Sequence, residues 1–213
     1  MIAELNKEDI LNYCEKYSQN DSTLQKELID YTFKNDPAPQ MISGLQVGNI
    51  LQSLIIISKA KNILEVGMFT GYSALKMAEM LPKDGLIHTC EIADNHIHTA
   101  NKFFKKSGFN DKIKIHPGPA IDTINNFEPN SFDFCFIDAD KNNYINYYRE
   151  CIKVLKPKGI MIIDNMLWGG KVLNPKDKET QIIADTAKII NDDSNTYNTM
   201  LTIRDGLMLC IKK

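Results

Sequence analysis

Between residues 62 and 163, five short segments rich in apolar residues alternate with segments of helical periodicity. No other feature limits the possible folds as strongly. The apolar segments are 62–66, 86–90, 113–116, 132–137 and 160–163, and 72–80, 94–107, 120–127 and 144–155 read as helices between them. Strands that are apolar on both faces are parallel strands covered by helices on both sides. Right-handed crossovers then bring every strand's carboxyl end to one edge of the sheet. A further helix is expected at 178–191, followed by strands at 199–203 and 207–211. Only Arg204-Asp205-Gly206 separates those two strands, so they should form an antiparallel hairpin.

The residues ahead of this pattern read as helices. Asn6 is placed to cap a helix running to Tyr17, and Ser22 with Gln25 has capping-box spacing. Asp36-Pro37-Ala38-Pro39 stops the second helix, and Ser43 with Gln46 repeats the capping-box spacing before Leu45, Ile50, Leu51 and Leu54. The expected organisation is one domain over 1–213, with a helical lid or dimer-forming addition at 1–60 on a sheet core at 61–213. The net charge of −2 gives no overall pull toward nucleic acid or anionic lipid. The start of the chain lacks the pattern of a secretory leader, and the longest apolar run, Leu54-Ile55-Ile56-Ile57, is far short of a membrane span. The five cysteines show no CxxC spacing, which fits a reducing, cytoplasmic setting.

Four acids punctuate the strand ends: Glu65, Glu91, Asp138 and Asp164. They are distant in sequence but fall on the edge where open α/β sheets bind ligands. Clustered carboxylates repel one another unless a cation or a hydroxyl-bearing ligand joins them. Glu65 opens the turn Glu65-Val66-Gly67-Met68-Phe69-Thr70-Gly71, which departs from G-x-G-x-x-G. Met68 and Phe69 obstruct the close backbone approach a pyrophosphate needs, and the acid disfavours phosphate. That turn argues against a nicotinamide dinucleotide. Glu91, one strand on, is placed to accept from ribose hydroxyls. A nucleoside with a positive centre fits both, and S-adenosylmethionine (AdoMet) is one.

Asp138 and Asp164-Asn165 end strands joined by one crossover helix, so the strands are expected to be neighbours. Two carboxylates and an amide carbonyl are hard oxygen ligands suited to Mg2+ or Ca2+. The plain alternative for Asp164-Asn165 is an Asx turn. Lys141 follows Asp138 by three residues. Next to a divalent cation, a lysine amine can take a proton from a hydroxyl; without one it is a solvated surface charge. His88, His96, His98 and His116 are scattered and read as structural or solvent-facing.

At these residues the sequence resembles the cation-dependent small-molecule O-methyltransferases, the catechol and caffeoyl-CoA O-methyltransferase group with its bacterial members. The likeness runs from about Pro39 onward. It is carried by Gln40-Met41-Ile42-Ser43, Ile63-Leu64-Glu65-Val66-Gly67 with Phe69-Thr70-Gly71-Tyr72-Ser73-Ala74, Gly118-Pro119-Ala120, Phe136-Ile137-Asp138-Ala139-Asp140-Lys141, Ile163-Asp164-Asn165 and Arg204-Asp205-Gly206. The resemblance implies a Rossmann-like class I methyltransferase with a mostly parallel seven-stranded sheet. It implies that Glu65, Gly67, Phe69 and Ser73 line the methionine end of AdoMet and that Glu91 holds the ribose. By the same likeness Pro119 and Ala120 lie beside the adenine, and Met41 and Ile42 near the sulfonium. Asp138, Asp164 and Asn165 would hold Mg2+, or Mn2+ or Ca2+ in its place, with Asp138 also at the donor site and Lys141 as base. Trp168-Gly169-Gly170 is a candidate acceptor wall, and the helical addition suggests a homodimer.

The acceptor implied is a phenolic small molecule with vicinal hydroxyls. A second acceptor keeps the same chemistry: a 5-hydroxyuridine-type base in tRNA, whose oxygens chelate a metal as a catechol does. The lysine clusters 102/105/106, 153/156/158 and 171/176/178 favour RNA, and the overall acidity opposes it.

Overall fold

A computed structural model describes residues 7–213; the cap expected at Asn6 lies outside them. Five parallel strands, β1 (Asn62–Val66), β2 (Leu86–Glu91), β3 (Ile113–Pro117), β4 (Phe132–Ile137) and β5 (Leu155–Ile163), form the main part of the sheet. β6 (Thr196–Leu201) and β7 (Leu207–Lys212) complete it as an antiparallel pair. The order is β3-β2-β1-β4-β5-β7-β6, so β7 lies between β5 and β6. From β1 the chain builds outward to β3, then returns to the other side of β1 with β4. The reversal leaves a crevice between β1 and β4 at their carboxyl ends, the usual ligand position in such sheets.

Among the described residues there are eight α-helices around the sheet: α1 (Lys7–Lys16), α2 (Thr23–Asn35), α3 (Gly44–Ser58), α4 (Tyr72–Met80), α5 (Asp94–Ser107), α6 (Ala120–Ile124), α7 (Tyr144–Val154) and α8 (Lys178–Asp192). Alternation along the strands separates two apolar clusters. Ile63, Phe134, Phe136 and Ile162 meet Leu28, Val47, Leu51 and Ile55 of α2 and α3 in one cluster. Leu64, Cys135, Ile137 and Ile163 meet Tyr148 of α7 and Ile183 and Ile190 of α8 in the other. Burying each such side chain contributes about 1.5–3 kcal/mol. α2 and α3, both ahead of β1, therefore share the sheet's own core.

Several local expectations are corrected. Ser22 and Gln25 do form a capping box on α2. Ser43 does not cap α3: its backbone is already helical, and its hydroxyl is 3.5 Å from Asp138 Oδ2 instead. β5 starts at Leu155, because Leu155 already pairs with Phe132 before the register slips at Phe134. The stretch Lys156-Pro157-Lys158-Gly159, which looks like a turn, is an irregularity inside the strand. β6 begins at Thr196 and stops at Leu201, so the hairpin connection is longer than Arg204-Asp205-Gly206. The segment Pro39–Ser58 is apolar and long enough to cross a membrane by length and composition. Its Val47, Leu51 and Ile55 are buried in the core, as a core helix requires.

Candidate active site

Gly67, just past β1, has φ +95°, and a Cβ there would run into the carbonyl of Asp138. Only glycine fits this position, because β1 and β4 are hydrogen-bonded neighbours whose exits converge: Asp138 N–H donates to Val66 C=O at 2.9 Å. A cavity of about 770 Å3 opens over this point. That size suits a nucleoside-sized ligand with room beside it.

On one side the cavity is walled by Gly67, Phe69 and Ser73 of the glycine turn and α4, and by Glu91 at the end of β2. Pro119 and Ala120, at the start of α6, and Met41 and Ile42, ahead of α3, also face it. Glu91 is oriented by three backbone donors: Phe69 N–H to Oε2 at 2.7 Å, and Ile92 and Ala93 N–H to Oε1, both at 2.9 Å. Glu65 departs from the expected picture. It is fully buried inside β1, beneath the cavity and not on its wall. Thr89 donates to its Oε2, while Oε1 has no hydrogen-bond partner. Burial pushes its carboxyl up to about 8; the hydroxyls of Ser73 and Thr89 oppose this, and the charges of Asp138 and Glu91 add to it.

On the other side stand Asp138, Lys141, Asp164 and Asn165. Ile137 and Ile163 are paired residues of β4 and β5, so Asp138 and Asp164 leave adjacent strand ends in register. Asp164 is buried; desolvation and the neighbouring Asp138 push its carboxyl up, offset by the Asn165 N–H and the charges of Arg204 and Lys141. Asn165 adopts φ +59°, a left-handed conformation that asparagine tolerates. Its N–H donates to Asp164 Oδ1 at 2.6 Å, a contact with the next residue and not the i to i+2 bond of an Asx turn; Met166 N–H goes to Gly206 C=O instead. Lys141 Nζ donates to Asp138 Oδ1 at 3.1 Å, to Ala139 C=O at 2.9 Å and to Tyr144 Oη at 2.6 Å. Among the described residues no group of three His, Cys, Asp or Glu side chains could hold a metal ion. The hard donors here are two carboxylates and one amide, a set suited to Mg2+ with positions left for substrate oxygens.

Other residues here were not singled out from sequence. Tyr144 is fully buried, and burial together with Asp138, Asp164 and Asp140 raises its phenol well above the ordinary range. It therefore keeps its proton, which it donates to Asp164 C=O at 3.0 Å while accepting from Lys141. Arg204 donates to Ile42 C=O at 3.1 Å, tying the hairpin to the strap before α3. Tyr147 donates to Asp140 at 2.5 Å on the cavity wall. His96 also lines the cavity. Trp168, the candidate acceptor wall, does face it, with Lys141 Nζ 5.7 Å from its ring centroid.

This strand order, with an acid closing β2 and a cavity at the reversal of the sheet, defines a Rossmann-like methyltransferase. The O-methyltransferase family profile matches residues 15–213, and the chain belongs to that family of AdoMet-dependent O-methyltransferases. The match starts at residue 15, well ahead of the Pro39 from which the motifs carry the likeness. A probable caffeoyl-CoA O-methyltransferase 1 of Dictyostelium discoideum is 34% identical over 212 residues, 95% of this chain and 91% of the relative. Caffeoyl-CoA O-methyltransferase 1 of Eucalyptus globulus is 34% identical over 197 residues, covering 87% and 80%. An O-methyltransferase from Bacillus cereus, solved in complex with SAH, superposes with a TM-score of 0.87 at 28% identity, covering 96% of this chain and 97% of that one.

Proposed function

We propose that this chain transfers the methyl group of AdoMet to a hydroxyl of a vicinal-diol aromatic, a catechol or caffeoyl-type small molecule, with Mg2+ or a similar divalent cation at Asp138, Asp164 and Asn165. The observation that carries this reading is the meeting of Asp138, Asp164 and Lys141 from adjoining strand ends, in the same cavity as Glu91 and the glycine turn. The names of the caffeoyl-CoA O-methyltransferase relatives support the phenolic acceptor.

A divalent cation bound there would supply the positive charge that stabilises a phenolate. Everything else falls to the protein's own residues. Glu91, held rigidly by three N–H groups, keeps acceptor capacity for ribose hydroxyls. Ser43 and Lys141 fix the two oxygens of Asp138. Lys141 Nζ, steered by Tyr144, would take the proton of the hydroxyl that reacts after releasing one of its own three to solvent, a loss that a nearby divalent cation would favour. Trp168 offers a flat apolar wall for an aromatic ring. The freed oxygen attacks the methyl in line with the departing sulfur. Opposite charges cancel along that path, so a cavity shielded from water helps. Near-attack positioning contributes up to about 7–11 kcal/mol.

The lysine clusters give tRNA little support. Lys106 pairs with Glu27, Lys153 with Glu150 at 2.7 Å and Lys156 with Asp133 at 2.6 Å. Exposed Tyr13, Tyr17, Phe33, Ile56 and Ile57 on the N-terminal helices support a homodimer, which light scattering checks. All five cysteines are free and four are buried, as suits a cytoplasmic protein. The deciding experiment is transfer of labelled methyl to catechols, caffeoyl esters and total tRNA, with and without EDTA. Labelling of the phenols that EDTA abolishes is expected. Labelling of tRNA alone, or of phenols despite EDTA, overturns the proposal.

A further inference from the structure

His96 sits in the first turn of α5, and methyl transfer as described gives it no task. Its ring is nevertheless gripped from three elements. Nε2 lies 3.0 Å from Asp36 Oδ2, a hydrogen bond when Nε2 carries the proton, and Nδ1 lies 3.6 Å from Glu91 Oε1, beyond hydrogen-bond distance. Phe69 of the glycine turn meets the ring edge-on, with centroids 4.6 Å apart. These contacts are shielded: the His96, Asp36 and Glu91 side chains are 16%, 8% and 9% exposed. A hydrogen bond to a carboxylate that is largely out of water is stronger than one on an open surface.

Asp36 is a pivot. Its N–H closes α2 on Thr32 C=O at 2.9 Å, and its other carboxylate oxygen accepts from Ala38 N–H at 2.9 Å. It thereby sets the start of the strap 36–43, which brings Met41 and Ile42 over the cavity. The far end of the strap is already tied, by Arg204 to Ile42 C=O and by Ser43 to Asp138. The near end has its side-chain tie across to the sheet edge in the His96–Asp36 bond.

We propose that His96 is a positioning residue for the methyl donor, latching the strap 36–43 over the donor cavity through Asp36, close beside Glu91, the carboxylate that faces the ribose. The latch is a contact between α2 and α5, 60 residues apart in sequence, and it operates whether or not the metal-binding residues are filled. Its consequence for binding rests on the AdoMet reading; its consequence for strap mobility does not.

The test is a double-variant cycle on His96 and Asp36, read by calorimetric titration with SAH and by amide hydrogen exchange in the unliganded protein. His96→Ala and Asp36→Ala should each weaken SAH binding about fivefold to tenfold, the scale of one charge-assisted hydrogen bond acting at one remove. Because both changes remove the His96–Asp36 bond, and Asp36→Ala also gives up the Ala38 N–H contact, the double variant should lose little more than Asp36→Ala alone. His96→Gln, whose amide nitrogen reaches the Nε2 position, should restore most of the loss. The amides of residues 38 and 40–43 should exchange faster in His96→Ala than in the parent, with the sheet unchanged. Additive losses, an SAH affinity within twofold of the parent in His96→Ala, no rescue by glutamine, or unchanged exchange over 38–43 would each overturn the latch. If the unaltered protein fails to bind SAH, the methyltransferase reading falls instead, and the exchange result still decides the latch.

Discussion

Glu65 is the group whose behaviour follows most directly from where it lies. It is fully buried, its Oε1 has no partner, and its carboxyl stands at about 8 against an ordinary 4.5. Unfolded, the chain loses this proton near 4.5; folded, it keeps the proton until about 8. Between those values the unfolded state binds fewer protons, so stability falls as pH rises. The contribution is fully present below 4.5 and is lost progressively up to about 8. Each pH unit in that window costs about 1.36 kcal/mol, or about 4 kcal/mol between pH 5 and pH 8. Glu65→Gln removes the titration while keeping the shape and an oxygen for Thr89 to donate to. The amide nitrogen then sits unpaired where the parent's acid proton did, so the comparison isolates ionisation. Urea unfolding of both proteins at pH 5, 6, 7 and 8, without donor or metal, measures the difference. The variant should gain on the parent by about 1.4 kcal/mol per pH unit, with parallel curves below the window. Parallel stability curves across the whole of pH 5–8 would refute the claim that this carboxyl is held neutral.

Three further outcomes are expected. Gly67→Ala should cost about 3 kcal/mol in urea unfolding, through its positive φ and the clash with Asp138, and displace Asp138 enough to lower methyl transfer. Asp164→Ala should abolish metal-stimulated turnover while SAH still binds by calorimetry; retained stimulation by Mg2+ would remove Asp164 from the metal set. Tyr144→Phe should slow turnover about tenfold by freeing Lys141, and the pH–rate profile should move with it. An unchanged profile would mean that the phenol does not steer the amine.

The parallel core was legible because its signal is local: a strand buried on both faces is apolar at every position, as in Phe134-Cys135-Phe136-Ile137. β6 was harder to bound because it is an edge strand, and Thr196-Tyr197-Asn198 reads as polar loop. The same limit explains Ser43. Its spacing to Gln46 suggests a cap, but a contact with Asp138, 95 residues on, claims the hydroxyl. The acids that meet in the cavity were findable because each follows a strand and topology alone gathers strand ends. His96, Tyr144 and Arg204 do not announce themselves this way, since each matters through a partner on another element. Glu65 was placed on the correct strand but at the wrong depth: an acid within an apolar run says nothing of whether it surfaces or stays below.

The placement of β7 bears on how the protein is made. β6 precedes β7 along the chain yet joins the sheet only through it. A ribosome therefore releases β6 with no strand to pair with, and its backbone ladder waits until the residues after Gly206 emerge. The turn between them carries Arg204, which grips Ile42, and Asp205, which holds Leu167 and Gly169. Two ties on the cavity wall, to the strap at Ile42 and to the segment around Trp168, are thus made only after residues 204 and 205 have emerged, more than a hundred residues behind the glycine turn.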